Sequence, residues 1–127
     1  MIKPVRTFSA IAVMFTLAAC NGGIKPEQQE EILSTPSLNN EQLMAAVNGK
    51  SFSANILSGS HPGKYVFKYD VDGTLYIQTS RYNSTRQWSI KDATLCVETC
   101  HQYYQDDATG NLYGKTDGKI SIVLKPQ

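Results

Sequence analysis

The sequence predicts a mainly β protein whose short strands follow one another as an antiparallel meander. From Lys50 onward, apolar and polar residues alternate along several short runs, a pattern typical of strands with one buried face and one solvated face. Turn-forming residues separate these runs, and two of the turns contain Asp-Gly, a dipeptide that strongly favours a β hairpin. Because no crossover helix is indicated between the runs, we expect neighbouring segments to pair antiparallel in sequence order.

The alternation delimits about six to eight strands. It is clearest in the second run, where Tyr65, Phe67 and Tyr69 alternate with other residues, and a strand that contains Trp88 is expected later in the chain. Residues 82–85 are predicted as a turn. The predicted strands are residues 50–57, 64–70, 74–81, 87–91, 94–98, 100–105, 111–115 and 119–125.

One short helix is predicted ahead of the strands, over residues 40–48. Asn39 and Gln42 have the spacing of a capping box at its start. Gly49 follows it, and glycine commonly ends a helix in the left-handed region. A helix of this length is not stable alone, so we expect it to dock on the sheet. Its apolar face is predicted to consist of Leu43, Ala46 and Val47.

Residues 1–19 have the organisation of an export signal. Lys3 and Arg6 precede an apolar run over residues 8–19, with no acidic residue among them. The run is too short to cross the roughly 30 Å of bilayer hydrocarbon as a stable helix. A cleaved signal peptide is therefore expected rather than a membrane-spanning segment.

The apolar run ends in Leu17-Ala18-Ala19-Cys20, and with this tetrapeptide the sequence resembles a bacterial lipoprotein precursor with its lipobox. The resemblance implies that a signal peptidase cleaves between Ala19 and Cys20. It also implies a diacylglyceryl group on the Cys20 thiol and a further acyl chain, such as palmitate, on the new amino group. Several acyl chains together hold a protein firmly on a membrane. Asn21 after the cysteine favours the outer membrane, facing the periplasm, if the host is Gram-negative.

Residues 20–39 are predicted to be the lipidated cysteine and a flexible tether, because Gly, Pro and polar residues dominate there. Within the tether, residues 27–33 could form one or two helical turns. Residues 40–127 then form a single small β domain, which is what a chain of 127 residues allows. Loss of two of the 12 basic residues with the signal peptide leaves ten against 11 acidic ones, which gives no electrostatic basis for binding nucleic acid.

The predicted domain contains several hairpin motifs in a recognisable order. Asp72-Gly73-Thr74 precedes Trp88, Leu95-Cys96 and Cys100 follow, and a late Asp117-Gly118 turn comes last. In this order, residues 50–125 resemble small exported bacterial β-meander proteins of unknown function. The resemblance implies a curved sheet or a small, open, lipocalin-like barrel, and it implies no activity.

Cys96 and Cys100 remain as a pair once Cys20 is lipidated, and a disulfide is the expected state of such a pair in an exported protein. Residues four apart in a continuous strand lie about 13 Å apart, whereas a disulfide needs Cα atoms within about 7 Å. The bond therefore requires residues 97–99 to turn. Two free thiols are one alternative. A metal site that includes His101 is another, but its ligand number and spacing are unlike those of structural zinc, so no metal is expected.

The segment Asp70-Val71-Asp72-Gly73-Thr74 resembles the first motif of haloacid-dehalogenase-like phosphatases, in which the first Asp is the nucleophile and the second an acid/base. That chemistry needs the pair at the end of a parallel strand and further motifs downstream. Only 53 residues follow Thr74, and the next segment alternates like a strand. We therefore favour a hairpin, and we predict no catalytic residue and no enzymatic activity.

Together these patterns predict a membrane-anchored envelope lipoprotein that binds a protein or a small ligand without catalysing a reaction. The alternatives are a structural or assembly accessory of an envelope complex of the secretion or conjugation type, and an inhibitor-type lipoprotein. The expected partners are the membrane, through the N-terminal lipid, and an envelope protein. No nucleic acid and no cofactor are expected.

Overall fold

The computed structural model describes residues 24–127, and in this part of the chain it has two short helices and nine strands. The predicted mainly β fold is confirmed. The helices are α1 (Pro26–Leu33) and α2 (Asn40–Val47). The strands are β1 (Lys50–Ile56), β2 (Gly63–Tyr69), β3 (Thr74–Gln78), β4 (Asn83–Gln87), β5 (Ser89–Lys91), β6 (Thr94–Val97), β7 (Thr99–Gln105), β8 (Leu112–Thr116) and β9 (Lys119–Pro126).

The strands form one antiparallel sheet in the order β4-β3-β2-β1-β9-β8-β7-β6-β5. Strict pairing in sequence order is wrong at two places, because β1 pairs with β9 and because β4 and β5 are the two edges of the sheet. Because β1 and β9 pair with each other, their facing backbone N–H and C=O groups are hydrogen-bonded. Without this pairing, both strands would be sheet edges with unpaired backbone groups. The sheet therefore consists of two meanders, β1 to β4 and β5 to β9, joined side by side. It curves into a nearly closed barrel, which agrees with the predicted curved sheet or small open barrel.

The region around Trp88 differs from the prediction. Strand β4 occupies most of residues 82–85, where a turn is predicted, and Trp88 lies between β4 and β5 instead of inside a strand over 87–91. No side chain of β4 is buried, so this strand has no apolar alternation that would reveal it in the sequence. The turn lies earlier, where the Thr79 amide donates to the Tyr82 carbonyl over 2.9 Å.

Trp88 is the residue that links the two edge strands, and it is held against β2 and the turn that follows it. Its backbone N–H donates to the Gly73 carbonyl and its indole Nε1 donates to the Asp70 carbonyl, both over 2.9 Å. Its ring meets that of Tyr69 edge-on, with the centroids 5.7 Å apart. Because one residue connects β4 to β5, the chain itself brings the two edges of the barrel together.

The interior of the barrel is filled by side chains. Helix α2 contacts β1, β5 and β6 and buries Leu43 and Val47 against the interior, so it closes one end. Its predicted capping box is present, with the Asn39 side chain accepting from the Gln42 amide. Besides Leu43 and Val47, the interior cluster contains Leu38, Phe52, Ala54, Phe67, Tyr69, Leu75, Trp88, Leu95, Tyr103, Leu112 and Leu124.

Helix α1 lies against the outer face of the sheet, in the part of the chain where a flexible tether is expected. Ile24, Ile32 and Leu33 pack on a second apolar cluster, which consists of Tyr104, Tyr113, Ile120 and Val123. The side-chain oxygen of Gln29 accepts from the Ile120 amide over 2.8 Å. Helix α1 has no side-chain cap and no fully buried residue, so its sequence gives a weak helical pattern and its position depends on the sheet.

Candidate functional site

A groove lies on the outer face of the sheet, where β3, β2, β1 and β9 run side by side. Its volume is about 580 Å³, within the ~300–1,000 Å³ typical of small-ligand sites. Phe52 and Ala54 of β1 face the interior, so the alternating residues Ser53 and Asn55 face outward into the groove. Lys64, Gln78, Ser80 and Lys125 also line it.

The strand register sets the positions of the two lysines. Ser53 of β1 pairs with Lys125 of β9, and Asn55 of β1 pairs with Lys64 of β2. The lysines are therefore two strand spacings apart across the sheet and one two-residue step apart along it, so their Cα atoms are about 12 Å apart. Since each ammonium group is carried on a long, flexible stem, both can reach a single anion above Ser53.

The surface between the lysines offers hydrogen-bond donors. Ser53 Oγ accepts from Gln127 Nε2 over 3.3 Å, which leaves the Ser53 hydroxyl proton free to donate into the groove. Gln78 and Ser80 supply a side-chain amide and a second hydroxyl at the β3 side. This arrangement can bind a polar ligand that carries negative charge near β1 and β9.

The charge around the groove is positive. No Asp or Glu occurs in the sequences of β1 to β4 or of β9. Lys64, Lys68 and Lys125 face this side of the sheet, and none of them forms an ion pair within residues 24–127. Cations on strands that carry no acidic residue create a local potential that attracts anions.

The sequence analysis does not identify this groove. The alternation that predicts the strands also places Lys64 and Lys125 at outward positions, so one part of the pattern was visible. The missing element was the pairing of β1 with β9, which brings Lys125 next to Ser53 from the far end of the chain.

A second polar cluster surrounds His101 of β7. Its Nε2 lies 2.9 Å from Thr99 Oγ1, and its Nδ1 lies 3.2 Å from Thr116 Oγ1. Thr116 Oγ1 lies 2.7 Å from Ser121 Oγ. Both ring nitrogens of His101 therefore have a hydroxyl group as hydrogen-bond partner. No hydrogen bond of His101 within the described residues reaches a carboxylate of the kind that orients a catalytic histidine.

Cys96 and Cys100 form a disulfide, as predicted. They lie directly opposite each other in the hairpin of β6 and β7, with their Cα atoms 4.0 Å apart. The chain reverses at Glu98, which has a φ of 70°, so residues 97–99 make the turn that the bond requires. Between residues 24 and 127 no group of three His, Cys, Asp or Glu side chains is placed to hold a metal ion.

Asp70 and Asp72 lie in the turn between β2 and β3. The Gly73 amide donates to the Asp70 carbonyl over 3.1 Å, and the Asp72 carboxylate accepts from the Thr74 amide over 2.9 Å. This second hydrogen bond lowers the pKa of the Asp72 carboxyl. Because β3 returns antiparallel to β2, the predicted hairpin is confirmed, and the Asp pair does not lie at the end of a parallel strand.

The predicted cleavage site, between Ala19 and Cys20, and the predicted lipid attachment on Cys20 lie outside the described residues. Neither helix between residues 24 and 127 has the length and apolar character needed to cross a bilayer. Comparison of the chain with protein family models, with curated proteins and with solved structures finds no match. The functional assignment therefore depends on the chemistry of the residues themselves.

Proposed function

We propose that the protein is an envelope lipoprotein, held on a membrane by acyl chains on Cys20, whose β domain binds a ligand or a partner without catalysing a reaction. The observation that carries the binding proposal is the contrast between the packed interior and the open groove of about 580 Å³ on the outer face. A ligand has room outside the barrel, where polar side chains are available to it.

The chemistry of the polar clusters supports binding rather than catalysis. Asp70 and Asp72 take part in a hairpin turn, and His101 is bracketed by the hydroxyls of Thr99 and Thr116. Neither arrangement pairs a nucleophile with an oriented base.

Helix α1 gives the proposed anchor a definite geometry. The four residue-to-residue steps from Cys20 to Ile24 reach at most ~14 Å, and Ile24 already packs on the sheet. A lipidated Cys20 would therefore hold the barrel close to the bilayer, with the face covered by α1 nearest the attachment point.

The anchor is tested by Cys20→Ala in the full chain, with Cys100→Ser as the matched control. We expect Cys20→Ala to lose incorporation of labelled palmitate and to remain uncleaved, whereas the control keeps both lipid and processing. A Cys20→Ala protein that is normally processed and fully soluble would show that the chain is not a lipoprotein.

Binding in the groove is tested by site-specific photo-crosslinking in intact cells. A crosslinking residue replaces Gln78 in the groove or, as the matched control, Gln105, which is exposed on β7. We expect a discrete adduct at Gln78 and none at Gln105. Equal adduct patterns at both positions would contradict a binding role for the groove, and a single stoichiometric protein adduct at Gln105 alone would favour the accessory function.

A further inference from the structure

We infer that the groove on β3, β2, β1 and β9 takes an acidic saccharide, a short chain of sugar units that carries a carboxylate or a phosphate. The inference rests on the proposed binding function and deepens it by naming the ligand class. Three features of the groove lead to it: its cations, its hydrogen-bonding side chains and its length.

The cations define where the acidic group lies. Lys64 and Lys125 approach the groove from β2 and β9, on either side of β1. Neither lysine has an ion-pair partner within residues 24–127, so an incoming anion does not have to displace a carboxylate. The acidic group therefore lies above Ser53, whose hydroxyl can donate to it.

The remaining side chains match a neutral, hydroxyl-rich body. Gln78 and Ser80 offer an amide and a hydroxyl, which can both donate and accept, as sugar hydroxyls do. Val66 is the one aliphatic residue larger than alanine in the lining. An acyl chain would take water from Gln78 and Ser80 and offer them no hydrogen bond, whereas sugar hydroxyls replace the hydrogen bonds that are lost.

The length of the groove excludes a free ion as the full ligand. From Lys125 on β9 to Gln78 on β3 the lining crosses four adjacent strands, which is about 14 Å. An ion occupies only the end near Ser53. A chain of sugar units spans the whole distance, with its acidic group between the lysines and its neutral part near Gln78.

The test is isothermal titration of the full-length protein, purified from membranes in a polyoxyethylene detergent. The probes are oligogalacturonate, neutral maltohexaose and inorganic phosphate. We expect oligogalacturonate to bind about tenfold more tightly than either of the other two, and its affinity to fall as salt is raised. Equal affinities for oligogalacturonate and maltohexaose, or no binding of oligogalacturonate, would overturn the inference.

Matched variants locate the site. Lys64→Gln and Lys125→Gln should each weaken oligogalacturonate binding about fivefold, and Gln78→Ala should weaken it without changing the affinity for phosphate. Lys91→Gln, on the exposed edge strand β5, is the control and should bind like the wild type. Unfolding curves establish that each variant is folded. Wild-type affinity in the Lys64→Gln/Lys125→Gln double variant would place the ligand elsewhere and overturn the inference.

Two further outcomes separate the ligand class from the proposed function. Lysine-dependent binding to phosphatidylglycerol vesicles, without binding to oligogalacturonate, would assign the groove to a membrane surface and overturn the saccharide. A specific crosslink at Gln78 in cells, together with no affinity for any acidic saccharide, would leave binding in the groove intact and reject only the ligand class. Loss of the crosslink as well would reject both.

Discussion

The outer face of this sheet has two regions of opposite character. The covered region consists of Tyr104, Tyr113, Ile120 and Val123 and lies under helix α1. The bare region consists of the groove residues around Ser53, Lys64 and Lys125. The chain buries the apolar region with its own N-terminal segment and leaves the cationic region open. The comparison teaches that one outer region serves the stability of the fold, while the other is available to a ligand.

The largest expected effect comes from truncating a tyrosine under helix α1, compared with a tyrosine on the uncovered side of the sheet. Tyr113→Ala in the covered region should lower the free energy of unfolding by about 3 kcal/mol, because it removes a buried aromatic ring. Tyr76→Ala is the matched change on the uncovered side, where the ring is 41% exposed, and it should cost about 1 kcal/mol or less. Denaturant unfolding measures both. Equal losses of unfolding free energy in the two variants would show that the side under α1 does not stabilise the fold more than the uncovered side.

The disulfide at the far side of the sheet gives the next effect. Replacing both Cys96 and Cys100 by serine should lower the free energy of unfolding by about 2 kcal/mol, because a closed loop this short constrains the unfolded chain only modestly. Guanidinium unfolding with and without a reducing agent provides the measurement. A reductant-sensitive stability in the double variant would show that the effect has another source.

The dependence of stability on pH tests the interior of the barrel, where two tyrosine hydroxyls are buried. Burial raises the pKa of the Tyr69 and Tyr103 hydroxyls, and in Tyr69 the neighbouring Tyr103 adds to the shift. Both ionise more readily in the unfolded chain, so their contribution to stability is complete below about pH 10 and falls as the pH rises further, by up to ~1.4 kcal/mol per pH unit for each tyrosine. Alkaline unfolding should therefore be shallower in Tyr103→Phe than in the wild type. An unchanged pH profile in that variant would contradict the assignment.

A smaller effect tests how α1 is held on the covered region. Gln29→Ala removes the acceptor of the Ile120 amide and should cost about 1 kcal/mol. Its neighbour Gln28 is the control. Hydrogen exchange should accelerate at the Ile120 amide in Gln29→Ala and stay unchanged in Gln28→Ala. Equal exchange rates in the two variants would mean that α1 does not protect this amide.

The smallest effect is expected in the bare region. Lys64→Gln and Lys125→Gln should each change the free energy of unfolding by less than about 0.5 kcal/mol, because neither side chain has an ion-pair partner among the described residues. Thermal unfolding checks this. A loss as large as that of Tyr113→Ala would assign these lysines to the fold instead of to a ligand.

Several elements were predictable because their causes are local. The alternation of Tyr65, Phe67 and Tyr69 predicted strand β2, and the capping-box spacing of Asn39 and Gln42 predicted the start of helix α2. A disulfide between Cys96 and Cys100 requires residues 97–99 to turn, and the structure has both the bond and the turn. Each of these inferences concerns residues a few positions apart, where propensity and spacing act directly.

Other features could not be predicted because their causes are distant in sequence. Strand β4 has no buried side chain, and only its neighbour β3 makes it a strand. Helix α1 has a weak pattern of its own and is placed by contacts with residues about 70 to 100 positions later. The groove depends on β9 lying beside β1, which no local pattern reveals.

The sequence by itself determined that this protein is an antiparallel β domain, because side-chain alternation and turn chemistry act between near neighbours, and it predicted the disulfide that the structure shows. It also predicts an N-terminal lipid anchor at Cys20. Only the tertiary structure decided that the first and last strands pair, that α1 covers one outer region and that two lysines share a groove in the other. These outcomes depend on which distant surfaces bury each other, and that is settled by packing over the whole chain.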